Sequence, residues 1–556
     1  MGGYGAVLRA SFSSYASING DQALSNPSEG AFIHADERTA LLTVGASPAK
    51  SQTALNSSGR PLQLLSWVQL MGIVYFSVGG GPFGFEQSLR AANPAICFWT
   101  LLLLCLTWAL PQALYVAELS TRYKRGYNEW VTTGLGPTIG MAHSLLRTFF
   151  GIITNAVYLA LFIEYAEPFI HSLAYGNPVD SSNSDSSIDY SSLPPYSPEE
   201  ESSVWNRFYF TWEKGVSIAV YTLIVFVVNI AGVQLVGVAS VILVVLVLTP
   251  FVIMVVMGFQ YLDFSMLVEF PPGKYFFDSM DPSLLVSVML FNLQGWDFVG
   301  NLSSRAKKPQ RDVPGGILGA LVFLFLTYSV PTFSAASILG PDGSQTSDNL
   351  YVDAASVVWQ PLTIIVTVAA LLGVLGLGCS FLSTSSEALA HSAYFLYAPL
   401  LFAKKTKRGD VPIVSVVLHT ILMVSLASAF EFDILVQLEM FLLCISTVTI
   451  GLAFIIIRVH DKRHSSEPTS TRIFRLKKCF AGIILLPISS IAFSIFGLVV
   501  ADWQTACISG FMTVVSVVMA LLWTRILTKN SKYDFSSFRR LCGGLILLPA
   551  PTRQFR

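Results

Sequence analysis

Twelve apolar runs, each long enough to cross a bilayer, dominate the chain from residue 64 onward. They lie near 64–91, 95–120, 138–169, 214–231, 233–258, 282–304, 314–338, 354–386, 411–430, 432–457, 479–500 and 503–526. A spanning helix needs about 20 mostly apolar residues. Lipid offers the backbone no hydrogen-bond partner, so a run of that length must satisfy its own amides, which a helix does. Composition agrees: 53% of residues are apolar and 12% charged, about half the roughly 25% charge of a soluble domain. The expectation is an all-α polytopic membrane protein with 12 transmembrane helices.

Lys and Arg placement gives an independent check. With the amino terminus cytoplasmic, 30 of the 34 basic residues fall on the cytoplasmic side, and only Arg90, Arg207, Lys214 and Lys274 fall outside. That bias follows the positive-inside rule and would be scrambled by one missed span. Both termini are therefore expected in the cytoplasm, with the plasma membrane as the first location and an endosomal or lysosome-like vacuolar membrane as the second. The outer connections are acidic, notably Asp180, Asp185, Asp189 and Glu199-Glu200-Glu201. An acidic vestibule concentrates cations, but a surface emptied of Lys and Arg by topology looks acidic too.

Three regions result. Residues 1–63 read as a disordered cytoplasmic tail, 64–527 as the transporter domain, and 528–556 as a second cytoplasmic tail. Glu37-Arg38-Thr39-Ala40-Leu41-Leu42 has acidic-dileucine spacing, a pattern that also arises by chance. The apolar stretch 541–551 is too short to span and is placed on the inner leaflet, with Cys542 an acylation candidate. The first 60 residues are polar, without the apolar core of a secretory signal. The seven cysteines sit in or beside apolar runs and imply no disulfide framework. A net charge of zero argues against a nucleic-acid-binding face.

The first run is interrupted at its centre by Gly79-Gly80-Gly81-Pro82-Phe83-Gly84-Phe85-Glu86. Glycine costs about 1 kcal/mol and proline about 3 in a helix interior, so the helix is expected to break. Irregular backbone at membrane depth survives only where protein or a watery cavity encloses it. Five runs later comes Phe291-Asn292-Leu293-Gln294-Gly295-Trp296-Asp297-Phe298-Val299-Gly300, again polar and glycine-bearing. Breaks in the first and sixth helices point to an inverted five-plus-five repeat, about 64–258 and 282–457, followed by helices at 479–526. The substrate site is then expected between the breaks. Close-packing glycines are the plain alternative at each.

Glu86 and Asp297 are the expected site acids. Intramembrane carboxylates are expensive and functional by default, and two facing one cavity repel unless a cation or proton comes between them. Against this, Glu86 could merely reach the outer interface with Arg90 one turn on. Asn155, Tyr158 and Glu164 lie along the third run. Ser383-Thr384-Ser385-Ser386 precede Glu387, as sodium ligands or as hydroxyls bonded to their own helix. Trp296 could cover an ammonium by cation–π contact or simply pack. Glu439 is read as a distant third carboxylate. No Walker loop, nucleophile–base pair or metal-ligand spacing appears, so no enzyme and no cofactor or metal is expected.

These residues resemble the amino acid–polyamine–organocation superfamily, specifically its polyamine-uptake and L-type amino acid transporter-like branch of protists and plants. The resemblance rests on Gly80-Gly81-Pro82-Phe83-Gly84-Phe85-Glu86, Pro111 with Ala117-Glu118-Leu119, Asn155-Ala156-Val157-Tyr158, Trp296-Asp297, and Lys308-Pro309 with Pro314, and covers about 64–525. It implies a LeuT-type fold and proton-linked uptake of polyamines. By that likeness Glu86 and Asp297 hold ammonium groups, Trp296 and Tyr158 flank the methylene chain, and the glycine break supplies carbonyls; Glu86 or Asp297 is the expected proton carrier, and Gly79, Gly80, Gly81, Phe83, Gly84, Asn155 and Asn292 complete the expected site. Ser304-Arg305 stands where relatives usually have Gly-Glu, so ion pairing there is expected to differ. The alternatives are an L-type or cationic amino acid transporter and, more remotely, a nutrient receptor without flux.

Overall fold

The computed structural model describes residues 64–175, 211–270, 280–346, 349–406, 409–430, 432–463, 480–500 and 503–529. The dileucine-type hexamer, the acids at 180–201 and the segment 541–551 with Cys542 lie outside these residues. Among the described residues there are helices and no β-strand, only an isolated bridge between Leu65 and Ala306.

In chain order the helices are α1 (Trp67–Val78), α2 (Gln87–Ala91), α3 (Pro94–Arg122), α4 (Tyr127–Leu135), α5 (Pro137–Tyr175), α6 (Trp212–Ala231), α7 (Val233–Met257) and α8 (Pro282–Asn292). A 3₁₀ segment, Trp296–Arg305, follows. Then come α9 (Pro309–Thr346), α10 (Leu350–Val358), α11 (Leu362–Tyr394), α12 (Ile413–Ala429), α13 (Phe432–Arg463), α14 (Phe480–Val500) and α15 (Trp503–Lys529).

All twelve apolar runs fall on helix, but eight of the helices are long and apolar enough to cross a membrane: α3, α5, α6, α7, α9, α11, α13 and α15. The first and sixth runs fall short because α1 stops after 12 residues and α8 after 11. Run length alone cannot register a break. The eighth run, 354–386, straddles α10 and α11, with the long helix starting behind Pro361 and reaching Tyr394. Proline lacks the donor a continuing helix needs, and the expected boundary moves accordingly.

Local chemistry sets the entry to α1. The Ser66 hydroxyl accepts from the Gln69 amide at 3.4 Å, and Gln69 Oε1 accepts from the Ser66 amide at 2.9 Å, a reciprocal capping box. Helix α5, 39 residues long, packs against α4, α6, α11, α12, α13 and α15. It is the post around which the site is built. Helices α6, α7 and α15 turn large apolar side chains outward, among them Leu223, Val245, Val256 and Phe511. Helices apolar on inner and outer faces alike need an apolar solvent.

Candidate functional site: two touching breaks and three carboxylates

Helix α1 ends where the Gly79 amide donates to the Tyr75 carbonyl at 2.8 Å. The chain then runs irregularly to Glu86, with Gly81 at φ 113°, a left-handed conformation that side chains resist. The second break, 293–295, turns on Gly295 at φ 97°. A Cβ there would lie 2.2 Å from the Ser77 carbonyl oxygen. Glycine is needed at 295 for both reasons, and the two breaks touch. Asn292 strengthens the contact, its Nδ2 donating to the Gly84 carbonyl at 3.3 Å. Gly80 packs its carbonyl against Gly373 of α11, and Gly79 lies against Tyr328 of α9.

Phe83 sits in an aromatic cluster, with ring centroids 5.9 Å from Tyr165, 5.1 Å from Phe251 and 5.8 Å from Tyr351. The Tyr351 hydroxyl donates to the Pro82 carbonyl at 3.0 Å, fixing the loop against α10. Beside this cluster, Glu86 Oε1 accepts from the Tyr165 hydroxyl at 3.1 Å. Its other oxygen, Oε2, is buried with no hydrogen-bond partner among the described residues.

Asp297 is in a different situation. Its carboxylate lies 2.7 Å from Nη2 of Arg147, on α5. The Arg147 guanidinium, in turn, is stacked over Phe298 at 4.1 Å, Phe150 at 4.2 Å and Tyr127 at 5.1 Å, contacts that favour a desolvated cation. Arg147 and Tyr165 are eighteen residues apart on one helix, about 27 Å of rise. The two expected site acids therefore contact α5 at different levels, Asp297 through Arg147 and Glu86 through Tyr165. An acid beside a buried arginine pairs with it. The signal was present in the sequence, a lone Arg inside an apolar run, but Arg147 was counted with the cytoplasmic cations.

Between these levels lies Glu439 of α13, which sequence reading set aside as distant. Its exposure is 0%. Oε1 lies 2.8 Å from the Thr154 hydroxyl of α5 and accepts from Gln294 Nε2, in the second break, at 2.7 Å. Oε2 is buried without a partner.

The remaining expected residues are engaged structurally. Asn155 donates to the Gly151 carbonyl at 2.6 Å and to the Ser385 hydroxyl at 3.2 Å. Tyr158 packs edge-on against Phe381, centroids 5.6 Å apart. Trp296 is fully buried, its indole N–H donating to the Leu293 carbonyl at 2.6 Å. Thr384, Ser385 and Ser386 each bond back to α11 carbonyls three residues earlier. Among the described residues no cluster of three His, Cys, Asp or Glu has metal-site geometry.

At the Pro137 end of the bundle, Arg305 closes the second broken segment. It bonds the Asp410 carbonyl at 2.9 Å and carboxylate at 2.6 Å, and lies 3.4 Å from Glu387 of α11, which also pairs with Lys405. The Leu65 amide donates to the Arg305 carbonyl at 2.7 Å, and the Lys307 amide to the Leu65 carbonyl at 2.9 Å. The start of the first broken helix and the end of the second are thus stitched together.

The sequence profile of the amino acid permease family matches residues 65–526, a span that takes in both breaks and every carboxylate just described. The chain belongs to the amino acid permease family. The permease is accordingly a membrane transporter and not an enzyme. It is 24% identical over 463 residues to a probable polyamine transporter of Arabidopsis thaliana, covering 82% of this chain and 86% of that one. A polyamine transporter of Oryza sativa subsp. japonica is 25% identical over 453 residues, 80% of this chain and 75% of its own. A second Arabidopsis thaliana polyamine transporter is 24% identical over 455 residues, 80% and 82% of the two chains.

Proposed function

We propose that the permease imports cationic polyamines, putrescine-like or longer, by proton-linked alternating access. In this reading the twelve apolar runs form 12 transmembrane helices of a LeuT-type five-plus-five inverted repeat. Its discontinuous helices are α1 with α2, and α8 with the 3₁₀ segment. Both termini are cytoplasmic, Glu86 lies toward the outside, and the Arg305–Glu387–Asp410 cluster shuts the cytoplasmic end.

The observation that carries the reading is the buried Glu86 oxygen with no partner, set beside unwound backbone and an aromatic wall. A half-buried carboxylate with one buried oxygen unmatched favours a donor that arrives with positive charge. A neutral amino acid brings a carboxylate of its own and is repelled there. Phe83, Tyr165 and Tyr351 offer ring faces to an ammonium or a methylene chain, a role first assigned to Trp296 and Tyr158. Irregular backbone over 79–81 completes the polar lining, Asn292 holds the Gly84 carbonyl, and Asn155 holds α5 to α11. The names of the plant relatives support this choice of substrate.

The test is uptake of radiolabelled putrescine by the purified protein in vesicles under an inward proton gradient. Competition by spermidine but not by excess leucine is expected. Competition by leucine alone would replace the polyamine with an amino acid.

A further inference from the structure

The Glu439 carboxyl has the geometry of a group that changes protonation. We propose that Glu439, rather than Glu86 or Asp297, carries the coupling proton, and that its protonation controls the grip on the second helix break through Gln294. This rests on the proton-linked reading above.

The hydrogen count around the carboxyl makes the case. Thr154 has one hydroxyl hydrogen but two oxygen neighbours within bonding distance: the Phe150 carbonyl at 2.9 Å and Glu439 Oε1 at 2.8 Å. If the hydroxyl donates to Phe150, the contact with Glu439 needs a hydrogen on the acid. If the hydroxyl turns to the acid, Oε1 carries no hydrogen and is free to be an ionised oxygen. One rotation of a threonine hydroxyl therefore serves both protonation states without moving a heavy atom. Gln294 donates to the same oxygen, and a donated bond to an ionised oxygen is roughly twice as strong as to a neutral one. Loss of the proton tightens the tie between α13 and the second break, and its gain loosens it.

The surroundings allow this. Arg147, already committed to Asp297, and the Tyr158 phenol are the charged and titratable groups of α5 that act on Glu439. Two turns further along α13, His143 of α5 bonds Ser446 at 2.9 Å. Helices α8 and α14 carry no charged residue. Among the described residues no cation is paired with Glu439 as Arg147 is with Asp297, so a proton is the available counter-charge. Glu439 lies five residues into the apolar stretch Ile434–Asp461, about one and a half turns from its start.

The experiment uses the full chain in proteoliposomes, with putrescine accumulation under a proton gradient and putrescine exchange without one. Glu439→Gln keeps the acceptor oxygen but not the titration. It is expected to lower gradient-driven accumulation at least tenfold and to flatten the pH profile of the exchange that remains. Accumulation with the wild-type pH profile overturns the proposal. Loss of exchange and of putrescine binding in a monodisperse variant also overturns it, making Glu439 a substrate anchor. Should Glu439→Gln fail to fold, Gln294→Leu reads the same acid. Losing a donor to the ionised form should move the pH midpoint of uptake upward, and an unmoved midpoint overturns the assignment. Wild-type vesicles report separately on the substrate: if they accumulate an amino acid and not putrescine, the polyamine reading fails and the same variants are read with that amino acid.

Discussion

Glu86 and Asp297 look alike in sequence, each an acid at a helix break, yet the fold treats them differently. Asp297 is matched by a buried guanidinium that three aromatic rings help to desolvate. Glu86 has a tyrosine hydroxyl on one oxygen and, among the described residues, no hydrogen-bond partner on the other. The first is a charge-paired acid, and the pair joins the second broken helix to α5. The second is unfinished, and an incoming cation would complete it. A carboxylate inside a membrane protein thus announces function only after its neighbours have been counted.

The largest effect that would sharpen this contrast is on stability. Asp297→Asn leaves Arg147 buried and unpaired, at a cost of about 3–5 kcal/mol. Thermal unfolding of the solubilised protein should show it, with most of the loss recovered in Arg147→Met/Asp297→Asn. A single variant of wild-type stability would break the contrast. Next, Glu86→Gln should leave stability near wild type but lower putrescine kcat/KM about 100-fold, corresponding to about 3 kcal/mol for a charge-assisted contact. Uptake at the wild-type rate would move the site elsewhere.

Smaller effects follow. Glu387→Gln removes the acid shared by Arg305 and Lys405. Arg305 and Glu387 are both buried, so the loss should raise thiol labelling of a cysteine at Ser386 at least fivefold, for about 1 kcal/mol or more, while unchanged labelling would mean the cluster does not close that end. Tyr165→Phe takes away the side-chain hydrogen bond to Glu86 and should raise the putrescine KM about threefold to tenfold, for about 1 kcal/mol. An unaltered KM would separate Tyr165 from the site.

Much of the helical layout was legible because bilayer thickness imposes a length on apolar runs, and both breaks were legible because glycine and proline act locally. The contact between breaks was only implied, since Gly295 against Ser77 joins residues more than 200 positions apart. Arg147 and Glu439 were misjudged for a common reason. Whether a charge in a span faces water, a partner or nothing depends on the helix across from it, and no local pattern records that.

The amino-acid order by itself determined that this chain lives in lipid, where its helices run and where two of them must break, because those outcomes depend on neighbours along the chain. Only the tertiary structure decided which acid has a counter-ion, which lacks one, and that Glu439 stands between them. Electrostatic energy is set by distance through space, and helix packing alone fixes that distance.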